Sequence, residues 1–425
     1  MNLLRLIFLK YRLFSKQKNG IDRNSTKVFE LKEMDMKIAR KLRMGMIGGG
    51  PGAFIGEVHR KAARLDGKIE LVTGAFDINP KKSQQMGKEL MLGPKRVYNN
   101  YKDMIKSESK LPAGERIDFV SITAPNNWHF PIARDFLKAG FHVMCEKPMT
   151  FNVNEAKSLQ KLVKKTGLVL GLMHNYTGYP MVKLARDMAR QGELGNIRKI
   201  IVQYPQGWLH DLLEKTGHQQ AAWRTDPRQS GGAGCMGDIG THAENLSEYI
   251  TGLKISEICA DLTIFVKGRK LDDDGNCLLR FNNGAKGILH ASQISIGEEN
   301  GLAIWVYGDK KALEWHQEHP NYLYVKVPDG PVQVWRRGNG YVAQRSPAAG
   351  RATRLPFGHP EAFIEAFANI YCNFADTLDA HLAGEKPDDL ALDFPNVDDG
   401  LRGMLFIETV LESSKNKMKW TKFKK

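Results

Sequence analysis

Residues 44–54 read MGMIGGGPGAF. The first four form a short apolar run that is typical of a buried strand, and apolar residues then recur at helical spacing over Phe54–Leu65. A glycine-rich turn between a strand and a helix is the setting in which the pattern G-x-G-x-x-G/A indicates dinucleotide binding. The three positions of that pattern are filled by Gly48, Gly50 and Ala53. The stretch therefore predicts a loop that binds a dinucleotide.

The small residues of this loop have separate expected roles. Gly48 permits a tight turn, Gly50 lets the backbone approach a pyrophosphate, and Ala53 is small enough for close packing of helix on strand. The helix offers free N–H groups and the positive end of its dipole to the phosphates. Pro51 departs from the plain pattern, so we expect a longer loop and count Pro51 among the cofactor-binding residues.

An acidic residue follows the second predicted strand. Asp77 lies 29 residues after Gly48, where a carboxylate can accept hydrogen bonds from ribose hydroxyls and repel a 2′-phosphate. This favours NAD over NADP as the cofactor. Two alternatives stay open, because Asp77 could be a turn residue before an Asn-Pro pair, and the Lys-Lys-Ser segment at 81–83 could hold the extra phosphate of NADP.

Strands and helices alternate from residue 42 to residue 173. This alternation is typical of a parallel sheet with helices on both faces. The predicted fold class is therefore α/β, with an N-terminal doubly wound parallel sheet of the Rossmann type. The predicted strands are Met44–Ile47, Ile69–Phe76, Asp118–Thr123, His142–Cys145 and Leu168–Met173, and the predicted helices are Phe54–Leu65, Lys81–Met91, Phe130–Ala139 and Asn152–Thr166.

The pattern changes after residue 174. Strands follow with few helices between them, and turn signals such as Asn282-Asn283-Gly284 separate some of them. This predicts an α+β domain with a large, mostly antiparallel open sheet. Its predicted strands are Arg198–Tyr204, Ile255–Val266, Asn276–Phe281, Gly287–Ser295, Leu302–Tyr307 and Leu323–Val327, with helices at Met181–Gln191, Asp238–Ile250 and Glu361–Leu382.

A lysine follows the predicted strand His142–Cys145. The segment Glu146-Lys147-Pro148 lies at the carboxyl end of that strand, and in an open parallel sheet such ends line the ligand crevice. The ammonium of Lys147 could hold a substrate hydroxyl and stabilise the charge of a developing alkoxide. Taken by itself, the lysine could equally be a surface residue with an ion-pair partner.

A second polar cluster opens the helix predicted at Asp238–Ile250. Successive helix residues turn by about 100°, so Asp238, His242 and Asn245 share one face. Histidine is the natural proton acceptor near neutral pH. The carboxylate of Asp238 could orient the His242 ring or bind substrate, and the alternative is a capped helix with a buried histidine. No third ligand is evident in the sequence, so no metal site is predicted.

Three of these segments together resemble a known family. The glycine loop, the Glu146-Lys147-Pro148 triplet and the segment 237–242, Gly-Asp-Ile-Gly-Thr-His, are similar to the glucose–fructose oxidoreductase / inositol dehydrogenase / rhizopine-catabolism (Gfo/Idh/MocA) family. The likeness covers about residues 43–407. It implies a Rossmann domain followed by an open α/β domain whose outer sheet face builds homodimers or homotetramers. It also implies that Lys147 is the catalytic lysine, Asp238 the catalytic aspartate and His242 the acid/base histidine.

Further residues take expected roles from the same resemblance. Cofactor contacts are implied for Asn126 and His129, which follow the third strand, and for both Glu146 and Lys147. Substrate contacts are implied for residues that cross from the Rossmann domain into the pocket, for the loop that covers the pocket, and for the catalytic helix. The implied substrate-binding residues are Lys147, His174, Tyr176, Trp223, Arg224, Asp238, His242 and Asn245.

The resemblance implies an NAD(P)-dependent dehydrogenase that acts on a CH–OH group of a small sugar, polyol or cyclitol-like substrate. His242 would remove the hydroxyl proton while a hydride leaves the same carbon, and Lys147 would polarise the oxygen. Two other functions stay open because the family contains them: an NAD-dependent glycosidase or lyase that acts by transient oxidation, and a sensor that binds dinucleotide and sugar without turnover. Neither the substrate nor the direction follows from the sequence.

Composition and charge restrict the class of protein. The chain has 425 residues, and no apolar run approaches the ~20 residues that span a membrane. Of its net charge of +15, residues 1–43 carry +8 and residues 415–425 carry +6. The rest is close to neutral, which argues against a nucleic-acid or membrane partner. Five cysteines without a CxxC pair favour a cytoplasmic protein without a disulfide framework or a zinc site.

Four segments are expected along the chain. Residues 1–40 form a basic extension outside the fold, which is either a targeting segment or an over-long start. Residues 41–173 form the NAD(P)-binding Rossmann domain, and residues 174–412 form the domain for substrate binding and oligomerisation. Residues 413–425 form a Lys-rich tail.

Overall fold

The computed structural model describes residues 40–423. Residues 1–39 and 424–425 are outside this description, and the basic extension expected at residues 1–40 falls almost wholly among them. Within residues 40–423, no helix is long and apolar enough to cross a lipid bilayer.

The first part of the described chain builds a five-stranded parallel sheet. Its strands are β1 (Leu42–Gly48), β2 (Ile69–Ala75), β3 (Phe119–Thr123), β4 (His142–Cys145) and β5 (Leu170–Leu172). They are ordered β2-β1-β3-β4-β5, so the strand order reverses direction between β1 and β3. The helices here are α1 (Phe54–Leu65), α2 (Pro80–Glu89), α3 (Tyr101–Glu108), α4 (Asn126–Lys138) and α5 (Val153–Thr166). The predicted doubly wound Rossmann sheet is confirmed.

The second part builds a nine-stranded sheet. Its strands are β6 (Lys199–Pro205), β7 (Ile255–Thr263), β8 (Asp274–Phe281), β9 (Lys286–Ser292), β10 (Ala303–Tyr307), β11 (Ala312–His316), β12 (Tyr322–Lys326), β13 (Gln333–Arg336) and β14 (Thr421–Lys422). The order is β13-β12-β11-β10-β6-β9-β8-β7-β14, and β6 with β9 is the parallel pair in an otherwise antiparallel sheet. The predicted large, mostly antiparallel sheet is confirmed.

Helices pack on one face of this second sheet, and one helix from the same part of the chain packs on the parallel sheet. They are α6 (Pro180–Arg190), α7 (Gln219–Arg224), α8 (Pro227–Ser230), α9 (Thr241–Thr251), α10 (Gly340–Arg345), α11 (Pro347–Arg351), α12 (Phe363–Ala383) and α13 (Val397–Lys415). Short turns of 3-10 helix lie at Pro94–Arg96, Asn175–Gly178 and Leu213–Lys215, and a π-helical turn lies at Met236–Gly240.

One face of the parallel sheet packs against α1 and against a helix from the C-terminal part of the chain. Leu42, Met44 and Met46 alternate along β1 and pack in one apolar cluster with residues of α1. Phe367 and Phe374 of α12 belong to the same cluster, so a helix from the C-terminal part of the chain completes the Rossmann half. The division expected at residue 173 is thus not a division of the packing, since α12 comes from residues assigned to the other domain.

The last described residues, up to Phe423, pair with and pack on the second sheet. Helix α13 continues to Lys415, and Thr421 and Lys422 pair with Ile258 and Glu257 of β7. Phe423 is 9% exposed. The expectation of a Lys-rich tail over residues 413–425 is therefore wrong for residues 413–423. Residues 415–420 are exposed, but strand β14 and the buried Phe423 follow them, and a charge count alone does not register that return to the sheet.

Candidate active site

A cavity of about 1250 Å³ lies between the carboxyl ends of the parallel strands and the nine-stranded sheet. In open α/β sheets such a crevice, at the point where strand order reverses, is the usual ligand site. Most of the site residues expected from the sequence line this cavity: Gly48, Gly50, Pro51, Ala53, Asp77, Asn126, His129, Glu146, Lys147, Tyr176, Trp223, Arg224, Asp238 and His242. The structure brings these residues together from segments as far apart as β1 and α9. His174 and Asn245 are outside this set.

The glycine loop follows β1 and has the close approaches that require glycine. Gly48 has a φ of +84°, and a Cβ there would lie 2.8 Å from the carbonyl of Thr123. A Cβ on Gly50 would lie 2.8 Å from the carbonyl oxygen of Phe76. The closest contact of α1 with the loop is at Gly56, where a Cβ would lie 2.3 Å from the Cα of Gly49. The close helix packing expected at Ala53 is therefore provided by Gly56.

The loop fits a dinucleotide pyrophosphate. Ala53 is the N-cap residue of α1 and makes no side-chain hydrogen bond to the helix, so no capping side chain takes the first N–H groups. Arg60 of α1 donates a hydrogen bond from Nη1 to the carbonyl oxygen of Gly49 at 2.8 Å, which stabilises the loop. These features leave the helix N-terminus open to an anion.

Asp77 lies beside this loop at the end of β2. One carboxylate oxygen, Oδ1, accepts a hydrogen bond from the backbone N–H of Asn79 at 2.8 Å, and Asn79 in turn caps α2. The turn role that the sequence left open is therefore present. The other oxygen, Oδ2, faces Gly50, and both Asp77 and Lys82 line the cavity. The same side chain can shape the turn and still accept hydrogen bonds from a ribose.

Lys147 and Asp238 form the charged centre of the cavity. The Nζ of Lys147 donates to Oδ1 of Asp238 at 2.7 Å and to its backbone oxygen at 2.6 Å. The other carboxylate oxygen accepts from Nε2 of Gln293 at 3.0 Å and lies 3.3 Å from Nε of Arg224. Burial alone would raise the pKa of Asp238, but Lys147 and Arg224 hold that pKa below its ordinary value. Asp238 is therefore a carboxylate that orients the lysine.

A π-helical turn presents Asp238. The predicted helix begins two residues before Asp238, at Met236, and its first five residues form the π turn. Asp272 holds this turn, because its carboxylate accepts from the backbone N–H groups of Gly234 at 2.6 Å and Met236 at 2.8 Å. Turns of π helix are frequent at functional sites. Asn245 lies one turn further along α9 and does not line the cavity, so its expected substrate contact stays a prediction.

His242 lines the cavity from the first turn of α9. Its ring stands edge-on to that of Tyr176, with centroids 4.8 Å apart. Its Nδ1 lies 3.4 Å from Nδ1 of His174. Burial lowers the pKa of His242 well below its ordinary value, and the nearby Lys147 and His174 lower it further. Asp238 bonds to Lys147, and the hydrogen-bonding neighbour of this imidazole in the described chain is His174.

The substrate side of the cavity is rich in uncharged polar groups. The hydroxyls of Tyr176 and Tyr204 hydrogen-bond to each other, and that of Tyr204 donates to Oδ1 of Asn300 at 2.7 Å. Nε2 of Gln206 donates to the same oxygen at 2.9 Å. All four residues line the cavity. A set of hydroxyl and amide groups of this kind suits a ligand with several hydroxyls.

A loop with two aromatic residues borders the same region. Trp208 and Trp223 both line the cavity, and the guanidinium carbon of Arg224 lies 4.3 Å from the centroid of the Trp223 ring. Arg224 also donates from Nη1 to Oε1 of Gln220 at 2.6 Å. The stacked and bonded Arg224 therefore has a fixed position above Asp238.

Glu146 is buried, and its carboxylate makes protein contacts. Oε1 lies 2.8 Å from Nε2 of His59, and Oε2 accepts from the backbone N–H of Lys147 at 2.9 Å. Nδ1 of His59 lies 2.7 Å from the hydroxyl of Tyr371, which lies 2.9 Å from Oγ of Ser121. Burial would raise the pKa of Glu146, but His59 and Lys147 lower it. This chain of polar groups fixes the backbone that carries Lys147.

Two of the expected cofactor residues also make structural contacts. His129 is 1% exposed, and its nitrogens lie 2.7 Å from the oxygen of Pro148 and 2.8 Å from that of Ala124. Burial lowers the pKa of His129 despite these two carbonyls. Asn126 donates from Nδ2 to the oxygen of Ser230 at 3.0 Å. Both residues join loops around the cavity that they line.

Several residues of this site were not predicted from the sequence. His59 carried a usable signal, because it lies four residues after Ile55 on the apolar face of α1, where a polar residue needs a buried partner. Gln293 carried none, since it follows a strand with nothing to mark it. Within residues 40–423, no group of three or more His, Cys, Asp or Glu side chains could hold a metal ion.

Two family models match the chain. The one described as "Oxidoreductase family, NAD-binding Rossmann fold" matches residues 42–174. The one described as "GFO/IDH/MocA C-terminal domain" matches residues 182–314. The two models meet where the parallel sheet gives way to the antiparallel one.

Relatives match over almost the whole chain. An uncharacterized oxidoreductase of Bacillus subtilis, YfiI, is 35% identical over 391 residues, which are 91% of this chain and 98% of that protein. A levoglucosan dehydrogenase of Pseudarthrobacter phenanthrenivorans is 26% identical and covers 70% of this chain and 79% of its own length.

Two solved structures are similar to this chain over a range that includes both sheets. A crystal structure of an inositol dehydrogenase homolog from Azotobacter vinelandii, complexed with NAD+, is 36% identical with a TM-score of 0.86, and covers 91% of this chain and 98% of its own. A second such structure, complexed with NADH and myo-inositol, is 35% identical with a TM-score of 0.83 and the same coverage. The chain therefore belongs to the Gfo/Idh/MocA family of NAD-binding oxidoreductases.

Proposed function

We propose that this enzyme uses NAD to oxidise a hydroxyl carbon of a cyclitol, polyol or sugar, or catalyses the reverse reduction. The observation that supports this most is that an ammonium and an imidazole line one cavity with the glycine loop: Lys147 from the end of β4 and His242 from α9. Lys147 follows a strand of the parallel sheet, whereas His242 lies on a helix that packs on the nine-stranded sheet, so the two groups reach one cavity from different halves of the fold.

The residues have separate roles in the proposed reaction. His242, neutral because of its lowered pKa, takes the hydroxyl proton of the substrate. Lys147, held by Asp238, donates a hydrogen bond to the same oxygen and stabilises its developing negative charge. NAD, when bound, supplies the acceptor for the hydride that leaves the alcohol carbon. The products are a carbonyl compound, reduced cofactor and one proton on His242.

The cofactor and substrate have separate proposed contacts. Gly48, Gly50, Pro51 and Ala53 would hold the pyrophosphate and Asp77 the adenosine ribose, as the pattern of the loop suggests. Tyr176, Trp223 and Arg224 would contact the substrate. The tyrosine, asparagine and glutamine groups near Tyr176 favour a substrate with several neutral hydroxyls, as in myo-inositol, the ligand of a homolog 35% identical to this chain.

The test is a screen of cyclitols, alditols and monosaccharides with NAD and with NADP, followed by absorbance of the reduced cofactor. We expect turnover with NAD on at least one cyclitol or sugar. Lys147→Met should lower kcat/KM by roughly 10²- to 10⁴-fold on that substrate, the range for loss of a group that stabilises the reacting oxygen. NAD affinity should change little.

A matched control shows whether the effect of Lys147→Met comes from the position of the lysine in the cavity or only from the loss of one positive charge. Lys157→Met removes an exposed lysine from α5, far from the cavity lining, and should leave kcat/KM unchanged. Full activity of Lys147→Met would refute the proposed mechanism. Consumption of a glycoside that needs bound NAD but gives no net NADH would instead favour the transient-oxidation reaction.

A homo-oligomer is the proposed assembly. The face of the nine-stranded sheet opposite α6 and α9 carries Leu278, 51% exposed, and Ile288, 36% exposed. Apolar residues on an open sheet face are typical of subunit contacts. Sedimentation of the purified protein should give a dimer or tetramer, and Leu278→Arg should shift the protein toward monomer.

A further inference from the structure

His174 and His242 form a pair of histidines at the wall of the cavity. Their Nδ1 atoms are 3.4 Å apart and their rings are nearly perpendicular, at 87°. His242 lines the cavity, whereas His174 is 2% exposed and does not line it. The Nδ1 of His242 therefore points away from the cavity, and Nε2 lies on the side of the ring toward the ligand. His174 was expected to touch substrate, and the structure places it behind the histidine instead.

A hydrogen bond between two neutral imidazoles carries a single proton. One Nδ1 must donate and the other must accept, so the pair has two arrangements. If His242 accepts, its own hydrogen is on Nε2, and that nitrogen has no lone pair for a substrate proton. If His242 donates, Nε2 has the lone pair. The choice at Nδ1 therefore decides whether His242 can be a base.

Protonation of His242 removes the ambiguity. After Nε2 takes a proton, both ring nitrogens carry hydrogens, and the Nδ1 hydrogen needs an acceptor. Within residues 40–423, the Nδ1 of His174 is the hydrogen-bond partner of that atom. Burial, with Lys147 nearby, lowers the pKa of His174 to about 3, so its lone pair stays available near neutral pH. His174 therefore meets the requirement for an acceptor.

The neighbours of the pair explain why a neutral acceptor is used. Besides burial, Lys147 lowers the pKa of both histidines, and Glu146 raises that of His174. Asp238 lies on the same helical segment as His242, and the phenols of Tyr176 and Tyr204 lie against the His242 ring. A carboxylate in the place of His174 would add a negative charge and raise the pKa of His242. A neutral imidazole orients the ring while leaving it unprotonated near pH 7.

We propose that His174 is a positioning residue that accepts the Nδ1 hydrogen of His242, and so fixes the tautomer whose Nε2 lone pair faces the substrate. This inference rests on the proposed role of His242 as the base. It assigns His174 no contact with substrate. The proton released by the alcohol goes to Nε2 of His242, and no proton passes to His174.

The direct test is ¹⁵N NMR of the NAD-bound enzyme with ¹⁵N-labelled histidines, because ring nitrogens with and without hydrogen have well-separated shifts. The chain has 12 histidines, and spectra of His242→Gln and His174→Gln would assign the two signals of interest. We expect the Nδ1–H form for His242 and the Nε2–H form for His174. The reverse arrangement would overturn the proposal. This test needs no substrate, so it decides the matter even if the screen finds no turnover.

Kinetics on the substrate found in the screen give a second test. His174→Phe keeps a ring but has no acceptor, and should lower kcat about 10- to 100-fold with KM for NAD unchanged, since a misoriented base loses only part of the roughly 10²- to 10⁴-fold effect of general acid–base catalysis. His174→Gln keeps an acceptor oxygen and should recover most of kcat. The acid limb of the kcat/KM profile should also move in His174→Phe, which a purely structural role would not cause.

His142 provides the control for the substitutions of His174. His142→Asn replaces another buried histidine, 4% exposed and outside the cavity lining, and should keep wild-type kcat. Wild-type kcat and pH profile in His174→Phe would overturn the role of His174 while leaving the proposed function intact. If His242→Gln also kept full activity, the proposed base itself would be wrong.

Discussion

Asp77 and Lys82 carry opposite charges beside the glycine loop, and both line the cavity. Because a carboxylate repels a 2′-phosphate and accepts ribose hydrogen bonds, Asp77→Ser should weaken NAD binding by about tenfold and strengthen NADP binding. The measurement is the dissociation constant of each dinucleotide by calorimetry. The structure supports this prediction because Oδ2 of Asp77 is turned toward Gly50.

Lys82 supplies the matched control for that charge. Lys82→Met keeps the length of the side chain and removes the cation, so it should weaken NADP without weakening NAD. An unchanged ratio of the two affinities in Asp77→Ser would mean that the carboxylate acts only in the turn, through the N–H of Asn79.

Four elements of the fold meet in one buried polar chain. His59 of α1 bonds to Glu146 after β4 and to Tyr371 of α12, which bonds to Ser121 of β3. His59→Ala leaves the buried carboxylate without this partner, and should lower the free energy of unfolding by about 3–5 kcal/mol. Tyr371→Phe removes two hydrogen bonds and should cost about 1–3 kcal/mol. Urea unfolding followed by fluorescence measures both.

A surface tyrosine gives the comparison for Tyr371→Phe. The hydroxyl of Tyr341 accepts from the N–H of Arg336 at 3.3 Å, and Tyr341 is 41% exposed. Tyr341→Phe should change the unfolding free energy by less than about 0.5 kcal/mol, because water replaces the bond. Equal effects of the two substitutions would contradict a joining role for the buried chain.

The last strand, β14, depends on one aromatic residue. Phe423 packs under Arg402, whose guanidinium carbon lies 3.5 Å from the ring centroid, and its N–H bonds to the oxygen of Ser256. Phe423→Ala should lower the unfolding free energy by about 2 kcal/mol through lost apolar burial and cation–π contact. Thermal unfolding measures it. Trp420→Ala, at a residue that is 36% exposed, should cost less, and the reverse order would contradict this account.

The stability of the whole molecule should depend on pH through its buried histidines. Burial and His381 lower the pKa of His142 from 6.5 to about 4. The neutral form is favoured in the fold, since Nδ1 of His142 accepts the N–H of Val169. Its contribution is therefore fully present above pH 6.5 and lost as pH falls toward 4. The shift corresponds to roughly 3 kcal/mol.

His142→Asn tests that contribution. Between pH 6.5 and 4 the variant should lose about 3 kcal/mol less stability than the wild type, as measured by urea unfolding at each pH. The exposed His319 is the control, and His319→Asn should follow the wild-type curve. Parallel curves for the wild type and His142→Asn would contradict a buried neutral histidine.

Local sequence patterns predicted most of the fold and part of the candidate site. The glycine loop, the lysine after β4 and the segment around His242 were each readable, because their chemistry depends on residues that are close in sequence. Helices α3 and α13 and strands β11, β13 and β14 are among the elements that were missed. The mean hydropathy of α13 is near neutral, and its neighbours are α5 and β7, which lie far away in sequence. Asn245 is on the predicted helix but outside the cavity lining, because helical spacing fixes a face and not which turn reaches the cavity.

The sequence by itself determined the alternation of strands and helices in the first half, the change to an antiparallel sheet after it, the dinucleotide loop and the identity of the residues that carry charge. These follow from spacing along a few turns or a single strand. Only the tertiary structure decided which partner each of them has. It joined Asp238 to Lys147, set His174 behind His242, and brought α12 back onto the parallel sheet. These contacts join residues that are 68 positions apart, as in His174 and His242, to 312 positions apart, as in His59 and Tyr371, and local spacing carries no information on which of them meet.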